Sequence, residues 1–242
     1  MYDKTCCTGT HPFVGYADNA HTIQCVVGIS GAISSGKSTT AKLIQENIEQ
    51  YTNWPENSQP AYTAVRPFAT TLKQAVHLIF GVPINLPYED RDLPIEHFNH
   101  NCPITDDHMW TARALYQFMG TEVGRFIYPS VWVDRWYEKA QRQPVDLIIC
   151  DDVRFMEEKT AMQKNFAKVP SIFIYVERSE NPSNHVNSNH RSETEAKELL
   201  RPTADFVITA SNKAELLAAL TEQEVFRTIG NAMKEYHKCL SF

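Results

Sequence analysis

The sequence contains no long hydrophobic run. Its longest strongly apolar stretch, LIIC at positions 147–150, ends at Asp151 and Asp152 and is far shorter than the roughly 20 residues that a bilayer crossing requires. The first 22 residues also lack a basic start followed by an apolar region and a small-residue cleavage site, which is the pattern of a secretory signal. We therefore expect neither a membrane span nor export.

Cysteine and positive charge are also scarce. Six cysteines in 242 residues are too few for a disulfide scaffold, so reduced thiols in a cytoplasm are the simpler expectation. The formal net charge of −6 at pH 7 argues against a broad electrostatic grip on duplex DNA or RNA, where a basic surface supplies the affinity. Any anionic ligand must be held by a local group of residues.

What the chain does contain is an alternation of strand-like and helix-like segments. The apolar, β-branched runs lie at 24–30, 146–150, 171–176 and 205–210. Between them, apolar residues recur at helical spacing, which indicates a parallel sheet covered by helices on both faces. We predict an α/β three-layer sandwich with a parallel sheet of about five strands, formed by one domain over residues 23–242. Residues 1–22 show neither period and are predicted to be an N-terminal extension, with an extra edge strand as the alternative.

The most specific motif lies between the first strand and the first helix. Residues 31–38, GAISSGKS, satisfy the pattern G-x-x-x-x-G-K-[ST], in which the backbone N–H groups turn toward phosphate oxygens at the start of a helix. In this arrangement Lys37 reaches the β- and γ-phosphates, and Ser38 supplies an oxygen to Mg²⁺. A turn without any ligand is the weaker alternative. The predicted contacts to ATP and Mg²⁺ are Gly31, Ala32, Ser34, Ser35, Gly36, Lys37, Ser38 and Thr39.

The motif leaves the second substrate open, because hydrolysis and transfer to a small acceptor both use it. An acceptor phosphate beside ATP needs further cations to neutralise its charge. The candidates are Arg66, Lys73, Arg113, Arg125, Arg154, Arg178 and Arg191, each of which is singly more often a surface charge. Asp151 and Asp152 follow a buried strand, at the sheet edge where open α/β folds bind ligands. They are candidates to hold Mg²⁺ or orient an acceptor, with an ordinary turn as the alternative.

Two polar regions interrupt the alternation. Residues 82–108 contain four prolines and are predicted to be an acceptor-binding flap or insertion, whose YEDRD run at 88–92 is read equally as a sugar contact or as a flap cap. Residues 178–195 are predicted to be a short lid. The flap also holds a group of possible zinc ligands with no standard finger spacing, for which loop roles are preferred: His97, His100, Cys102 and His108.

Several segments, taken in order, resemble the bacteriophage deoxynucleoside monophosphate kinases, which are P-loop enzymes of the nucleoside monophosphate kinase fold. The segments are GAISSGKSTTA, FATTLKQA, RALYQFMGTEVGR with VWVDRW, ICDDVRFMEE, HRSETE and ADFVITASNKAELL. They cover most of residues 24–220. Only the P-loop is highly specific by itself, and the order of the other segments gives them their weight.

The resemblance implies transfer of the γ-phosphoryl group of ATP to the 5′-phosphate of a deoxynucleoside monophosphate. It implies that Lys73, Arg113 and Arg154 contact the acceptor phosphate or the transition state, that Asp152 is the metal-side carboxylate and that Arg191 is a lid residue. The implied acceptor pocket includes Gln117, Gly120 and Thr121. Two further predicted acceptor contacts are Arg66, from its charge, and Trp132, from its ability to stack on a base.

Two other functions remain open from the residues. One is a P-loop kinase of another small metabolite, such as a dephospho-coenzyme A-like acceptor, and the other is a nucleotide-dependent switch or ATPase without a small acceptor. The expected partners are ATP and a nucleotide acceptor, with no membrane and no duplex nucleic acid, and a homodimer is left open. The expected location is a cytoplasm, the host's if the protein is phage-encoded.

Overall fold

The computed structural model describes residues 23–52, 61–96, 98, 100–105, 108–142, 144–179 and 194–240. The strands are β1 Cys25–Ser30, β2 Thr63–Val65, β3 Leu147–Cys150, β4 Ser171–Glu177 and β5 Phe206–Thr209. They form one parallel sheet in the order β2-β3-β1-β4-β5. The first strand is therefore central, and its carboxyl end opens onto the middle of one sheet edge.

The helices cover both faces of this sheet. They are α1 Lys37–Asn47, α2 Glu49–Thr52, α3 Ala69–Phe80, α4 Ala112–Gln117, α5 Val131–Gln141, α6 Met156–Asn165, α7 Lys213–Glu222 and α8 Val225–Leu240. Two π-helical segments, Phe118–Arg125 and Ala196–Leu200, and two 3₁₀ turns, Glu89–Asp92 and Arg201–Thr203, complete the regular structure. Within the described ranges, no helix combines the length and the apolar character that a membrane crossing requires.

Successive residues of the strands enter two separate cores. Val27 and Ile29 of β1 are fully buried with α1, α7 and α8, whereas Val26 is buried on the other face with Phe68, which precedes α3, and with α5 and α6. All residues of β1 and β3 are buried, which explains their continuous apolar sequence. Complete burial of one aliphatic side chain stabilises the fold by about 1.5–3 kcal/mol. These layers confirm the predicted α/β three-layer sandwich and its five parallel strands.

Two elements of the sandwich have no counterpart in the predicted segments. Strand β2 has three residues and follows a stretch marked by Pro60, so it is too short to show an alternation. Helix α8 buries Val225, Phe226, Ile229 and Met233 against the sheet, a helical spacing that lies beyond the resembling segments.

The helix that begins at Thr111 changes its winding. Thr111 caps it, with its hydroxyl accepting a hydrogen bond from the Ala114 amide at 3.1 Å, but α4 continues as a π-helix from Phe118. A π-helix has more residues per turn than an α-helix and rotates later side chains away from the expected face. With α-helical spacing throughout, the sequence would place Phe126 on the same buried side as Leu115. Leu115 is buried, but Phe126 is 86% exposed.

The described residues of the predicted flap share a small apolar core with α3 and α4. Val82 and Cys102 of the flap are buried, and Val82 packs with Val76 of α3 and with Ala112 and Leu115 of α4. An isolated antiparallel bridge joins Pro94 to Thr111. The flap is therefore packed against the helices that border the sheet edge.

Candidate active site

The turn after β1 passes very close to the end of β4. Gly31 has φ 144°, and a Cβ atom added there would lie 2.1 Å from the carbonyl oxygen of Val176. Gly36, at the start of α1, has φ 106°. Both positions require glycine, because an L side chain is strained at such angles and, at Gly31, has no room. The motif's glycines thus shape a tight backbone curve at the centre of the sheet edge.

The start of α1 is arranged to receive an anion. Among the described residues no side chain caps this helix, so the first amides keep their donors directed into the curve. Lys37 donates hydrogen bonds from Nζ to the carbonyl oxygens of Gly31 at 2.8 Å and Ala32 at 2.5 Å. The ammonium group therefore lies across the turn, and we call residues 31–38 the cradle.

Asp151 faces this cradle from the end of β3. Its carboxylate is buried and accepts a hydrogen bond from the Ser38 hydroxyl, while Oδ1 has no partner among the described residues. Burial raises the pKa of Asp151, more than the Ser38 hydrogen bond and the Lys37 charge lower it. A buried carboxylate oxygen without a donor needs an explanation. Together with the Ser38 hydroxyl it provides the hard oxygen ligands that Mg²⁺ prefers, so these residues fit the ion.

Asp152 is used differently. Its Oδ1 accepts a hydrogen bond from the Phe68 amide at 2.7 Å and its Oδ2 accepts one from the Ala69 amide at 2.9 Å. The carboxylate therefore fastens the start of α3 to the sheet edge. The resemblance implied that Asp152 is the metal-side carboxylate, and the geometry favours Asp151 instead, since both Asp152 oxygens are already occupied by backbone amides.

Several cations lie close to these two carboxylates. The pKa of Lys73 on α3 is lowered, first by burial and then by the charge of Arg91, while Asp152 and Asp151 raise it and Arg154 lowers it. Three positive groups from α3, the flap and the loop after β3 thus share one electrostatic environment with the carboxylates. Lys73 and Arg154 were expected here, but Arg91 was not singled out as a cation.

Arg113 is bonded to the flap. Its Nε and Nη2 donate to the two carboxylate oxygens of Asp92 at 2.5 and 2.9 Å, and its guanidinium lies 5.0 Å from the centre of the Tyr88 ring. The hydrogen bonds to Asp92 lower the pKa of that carboxyl. The predicted contact of Arg113 with an acceptor phosphate stays a prediction, and this ion pair competes with it.

A buried ion pair supports the loop that carries Arg154. Glu158 is 3% exposed and is paired with Arg125. Its Oε2 also accepts hydrogen bonds from the amides of Arg154 at 2.7 Å and Phe155 at 3.1 Å, while the Arg125 guanidinium lies 3.9 Å from the centre of the Phe155 ring. Arg125 therefore acts as a structural residue of this loop.

The remaining predicted contacts are only partly brought together. Leu72, beside Lys73, lies 3.0 Å from the position that a Cβ on Gly120 would take, so Gly120 borders α3. Gln117 ends α4, and Thr121 follows Gly120 in the π-helix. Trp132 donates its indole N–H to the Gly120 carbonyl oxygen at 2.8 Å, which ties the ring to the π-helix. Arg66 is exposed, and its carbonyl oxygen accepts the Trp136 indole N–H at 2.6 Å.

Other predicted positions are outside the described residues. Arg191 and most of the predicted lid, residues 180–193, belong to this group, as do His97 and the extension 1–22. In the part of the chain that is described, no three His, Cys, Asp or Glu side chains form a group suited to a metal ion.

No protein-family model and no curated protein matches this chain. Among solved structures, it is similar to the unliganded crystal structure of a sugar kinase from Janibacter sp. HTCC2649, with 16% sequence identity over 86% of this chain and 98% of that chain. The TM-score is 0.36. A similarity this weak identifies neither a family nor an activity.

Proposed function

We propose that this protein is a kinase that transfers the γ-phosphoryl group of ATP to the 5′-phosphate of a deoxynucleoside monophosphate. The observation that carries the proposal is the joint position of three features at one sheet edge. The cradle lies at the end of β1, the buried Asp151 carboxylate lies beside Ser38, and the cations Lys73 and Arg154 share the environment of the carboxylates. This arrangement supports a donor site with an anion-binding site next to it.

On the donor side, the backbone amides of the cradle and Lys37 would bind the triphosphate. The Ser38 hydroxyl and Asp151 would hold Mg²⁺, which when bound neutralises charge on the β- and γ-phosphates. The Lys37 ammonium already lies across the turn, within hydrogen-bonding distance of two of its carbonyl oxygens, so it needs little rearrangement to meet a phosphate.

On the acceptor side, Lys73 and Arg154 would neutralise the acceptor phosphate and hold one of its oxygens in line with the γ-phosphorus. That oxygen forms the new bond as the bond from the γ-phosphorus to the β,γ-bridging oxygen breaks, which yields ADP and the nucleoside diphosphate. The acceptor oxygen is ionised at neutral pH, so no general base is required. Alignment and charge neutralisation are the chain's main contributions.

A coupled assay of ADP release with dAMP, dGMP, dCMP and dTMP tests this proposal. We expect turnover with at least one of the four to depend on the acceptor and to be lost in the Lys37→Ala variant. ADP release that is the same with and without every acceptor would contradict the proposal and favour the switch or ATPase. Transfer only to a non-nucleotide phosphate ester would instead favour a kinase of another metabolite.

A further inference from the structure

The position of Arg91 is fixed by the packing of the flap. Arg91 lies in the 3₁₀ turn Glu89–Asp92, next to Asp92, which is bonded to Arg113 of α4. Two residues further, Pro94 pairs with Thr111. The turn is therefore attached to α4 at two nearby points, and the backbone of Arg91 is held at the border of the sheet edge.

The Arg91 guanidinium makes little use of its hydrogen-bonding capacity. Its Nε is buried and has no partner among the described residues, and its Nη2 reaches the Leu86 carbonyl oxygen only at 3.5 Å. The Tyr88 ring centre lies 5.4 Å away. A guanidinium has five N–H donors, and leaving a buried donor unsatisfied is unfavourable. The Arg91 guanidinium therefore has N–H donors available to bind an anionic ligand.

The surroundings of Arg91 add to this imbalance. Burial lowers the pKa of Lys73, and the like charge of Arg91 lowers it further. Burial raises the pKa of Tyr116, and Arg91 opposes this rise by stabilising the phenolate. Arg154 acts on Lys73 in the same sense as Arg91. The acidic residues around this group are Asp92, Asp151 and Asp152. Hydrogen bonds from Arg113, and then the charges of Arg113 and Arg91, lower the pKa of Asp92. Both oxygens of Asp92 are bonded to Arg113, and Asp152 is bonded to two amides.

We propose that Arg91 is the contact of the flap with the phosphate monoester of the acceptor, and that Arg113 is a positioning residue that holds the Arg91 turn through Asp92. This inference rests on the proposed function and deepens it. It assigns the contact with the acceptor phosphate to Arg91 and not to Arg113. The Arg113 guanidinium is already bonded to the Asp92 carboxylate, whereas most N–H donors of Arg91 have no partner among the described residues.

The first experiment compares Arg91→Met with Arg227→Met, a matched change at a surface arginine that pairs with Glu224. With the preferred acceptor, we expect Arg91→Met to raise its KM by about tenfold or more and to leave ATP affinity within about twofold. Arg91→Lys should recover part of the loss, and Arg227→Met should behave as wild type. An unchanged acceptor KM in folded Arg91→Met protein would overturn the proposal.

The second experiment separates the two arginines. If Arg113 acts through Asp92, then Arg113→Met and Asp92→Asn break the same ion pair, should raise the acceptor KM by similar factors, and should not be additive in the double variant. Their kcat should change less than their KM. An Arg113→Met effect about tenfold larger than that of Asp92→Asn, or tighter acceptor binding in Asp92→Asn, would make Arg113 the phosphate contact instead.

A binding measurement distinguishes failure of this inference from failure of the proposed function. With the cradle saturated by ADP and Mg²⁺, calorimetric titration with inorganic phosphate probes the second anion site without any turnover. We expect wild type and Arg227→Met to bind phosphate, and Arg91→Met to bind about tenfold more weakly. If turnover depends on no acceptor but Arg91→Met still binds phosphate more weakly than wild type, the proposed function is wrong and Arg91 remains the contact of an anion site. Equal phosphate binding by wild type and Arg91→Met would contradict the role of Arg91.

Discussion

The two sides of the candidate site are built in different ways. The cradle is made of contiguous backbone, and its shape depends on the absence of a Cβ atom 2.1 Å from the Val176 carbonyl oxygen. The acceptor side is made of side chains from α3, the flap and the loop after β3. The segment that carries each of them is held by an ion pair or by a carboxylate that accepts backbone amides. A backbone site tolerates neighbouring side-chain changes but no added atom at its tightest point, whereas a side-chain site is sensitive to every partner that orients it.

The largest effect should come from Lys37, the side chain on which the donor side most depends. Lys37→Ala removes the cation that lies across the turn, and we expect kcat to fall by about 10³-fold or more, since charge on the transferred group is then uncompensated. Lys42→Ala is the matched control, because Lys42 is exposed on the same helix. Turnover close to wild type in Lys37→Ala would remove the cradle from the mechanism.

The backbone character of the cradle is tested next, with two glycines of positive φ. Gly31→Ala places a methyl group against the end of β4, and we expect a loss of about 3 kcal/mol in unfolding free energy together with loss of ATP binding. Gly81→Ala is the control, since it has φ 73° and nothing within 4 Å of the added atom. It should cost only about 1 kcal/mol, the conformational penalty alone. Equal losses in a denaturant titration would mean that contact with Val176 is relieved at little cost.

The two sides of the site also differ in how far the sequence alone predicted their position in the fold. The cradle lies within eight consecutive residues, so its spacing alone predicted its place between a strand and a helix. The acceptor side depends on contacts between residues far apart in the chain: Asp92 and Arg113 are separated by 21 positions, Arg125 and Glu158 by 33, and Asp152 and Phe68 by 84. The helical and strand periodicity of a sequence does not predict contacts between residues so far apart.

The adjacent aspartates illustrate the same limit. Both aspartates follow β3, and their side chains point in different directions. The sequence did not predict which of the two faces the cradle. The structure gives Asp151 to the cradle and Asp152 to the amides of α3. A similar argument applies to Arg91, because only the folded flap brings it into the environment of Lys73.

Exchange of each aspartate for asparagine therefore tests their two different roles. We expect Asp151→Asn to lower kcat by about 10²-fold and to weaken the dependence on Mg²⁺, because a metal-binding charge is lost. Asp152→Asn should instead act mainly on stability, since a charged acceptor of two amides becomes a neutral acceptor of one. Activity against Mg²⁺ concentration and a denaturant titration of both variants measure this. The reverse ranking would restore Asp152 as the metal-side carboxylate.

On the acceptor side, Glu158→Gln tests dependence on a supporting partner. The amide keeps one acceptor for the loop but no longer neutralises Arg125, whose side chain is 14% exposed, so we expect unfolding free energy to fall by about 2 kcal/mol. Glu157→Gln, at an exposed position beside it, should cost well under about 1 kcal/mol. Transfer should fall as well, because an Arg125 that is no longer neutralised disturbs the loop that carries Arg154. Equal stability of the two variants would contradict this role of Glu158.

The smallest effect should come from Trp132, and it asks whether a side chain near the acceptor region binds substrate or only maintains the helix. Gly120 leaves a carbonyl oxygen within the π-helix that the Trp132 indole N–H satisfies at 2.8 Å. Trp132→Phe removes that donor while keeping an aromatic ring, so we expect a loss of about 1 kcal/mol in unfolding free energy. The acceptor KM should stay within about twofold of wild type, since one structural hydrogen bond and no substrate contact is lost. Because phenylalanine can still stack on a base, Trp132→Leu is the companion variant. A rise of about tenfold in acceptor KM in Trp132→Leu but not in Trp132→Phe would show that the ring contacts the base, and the acceptor pocket would then extend to α5.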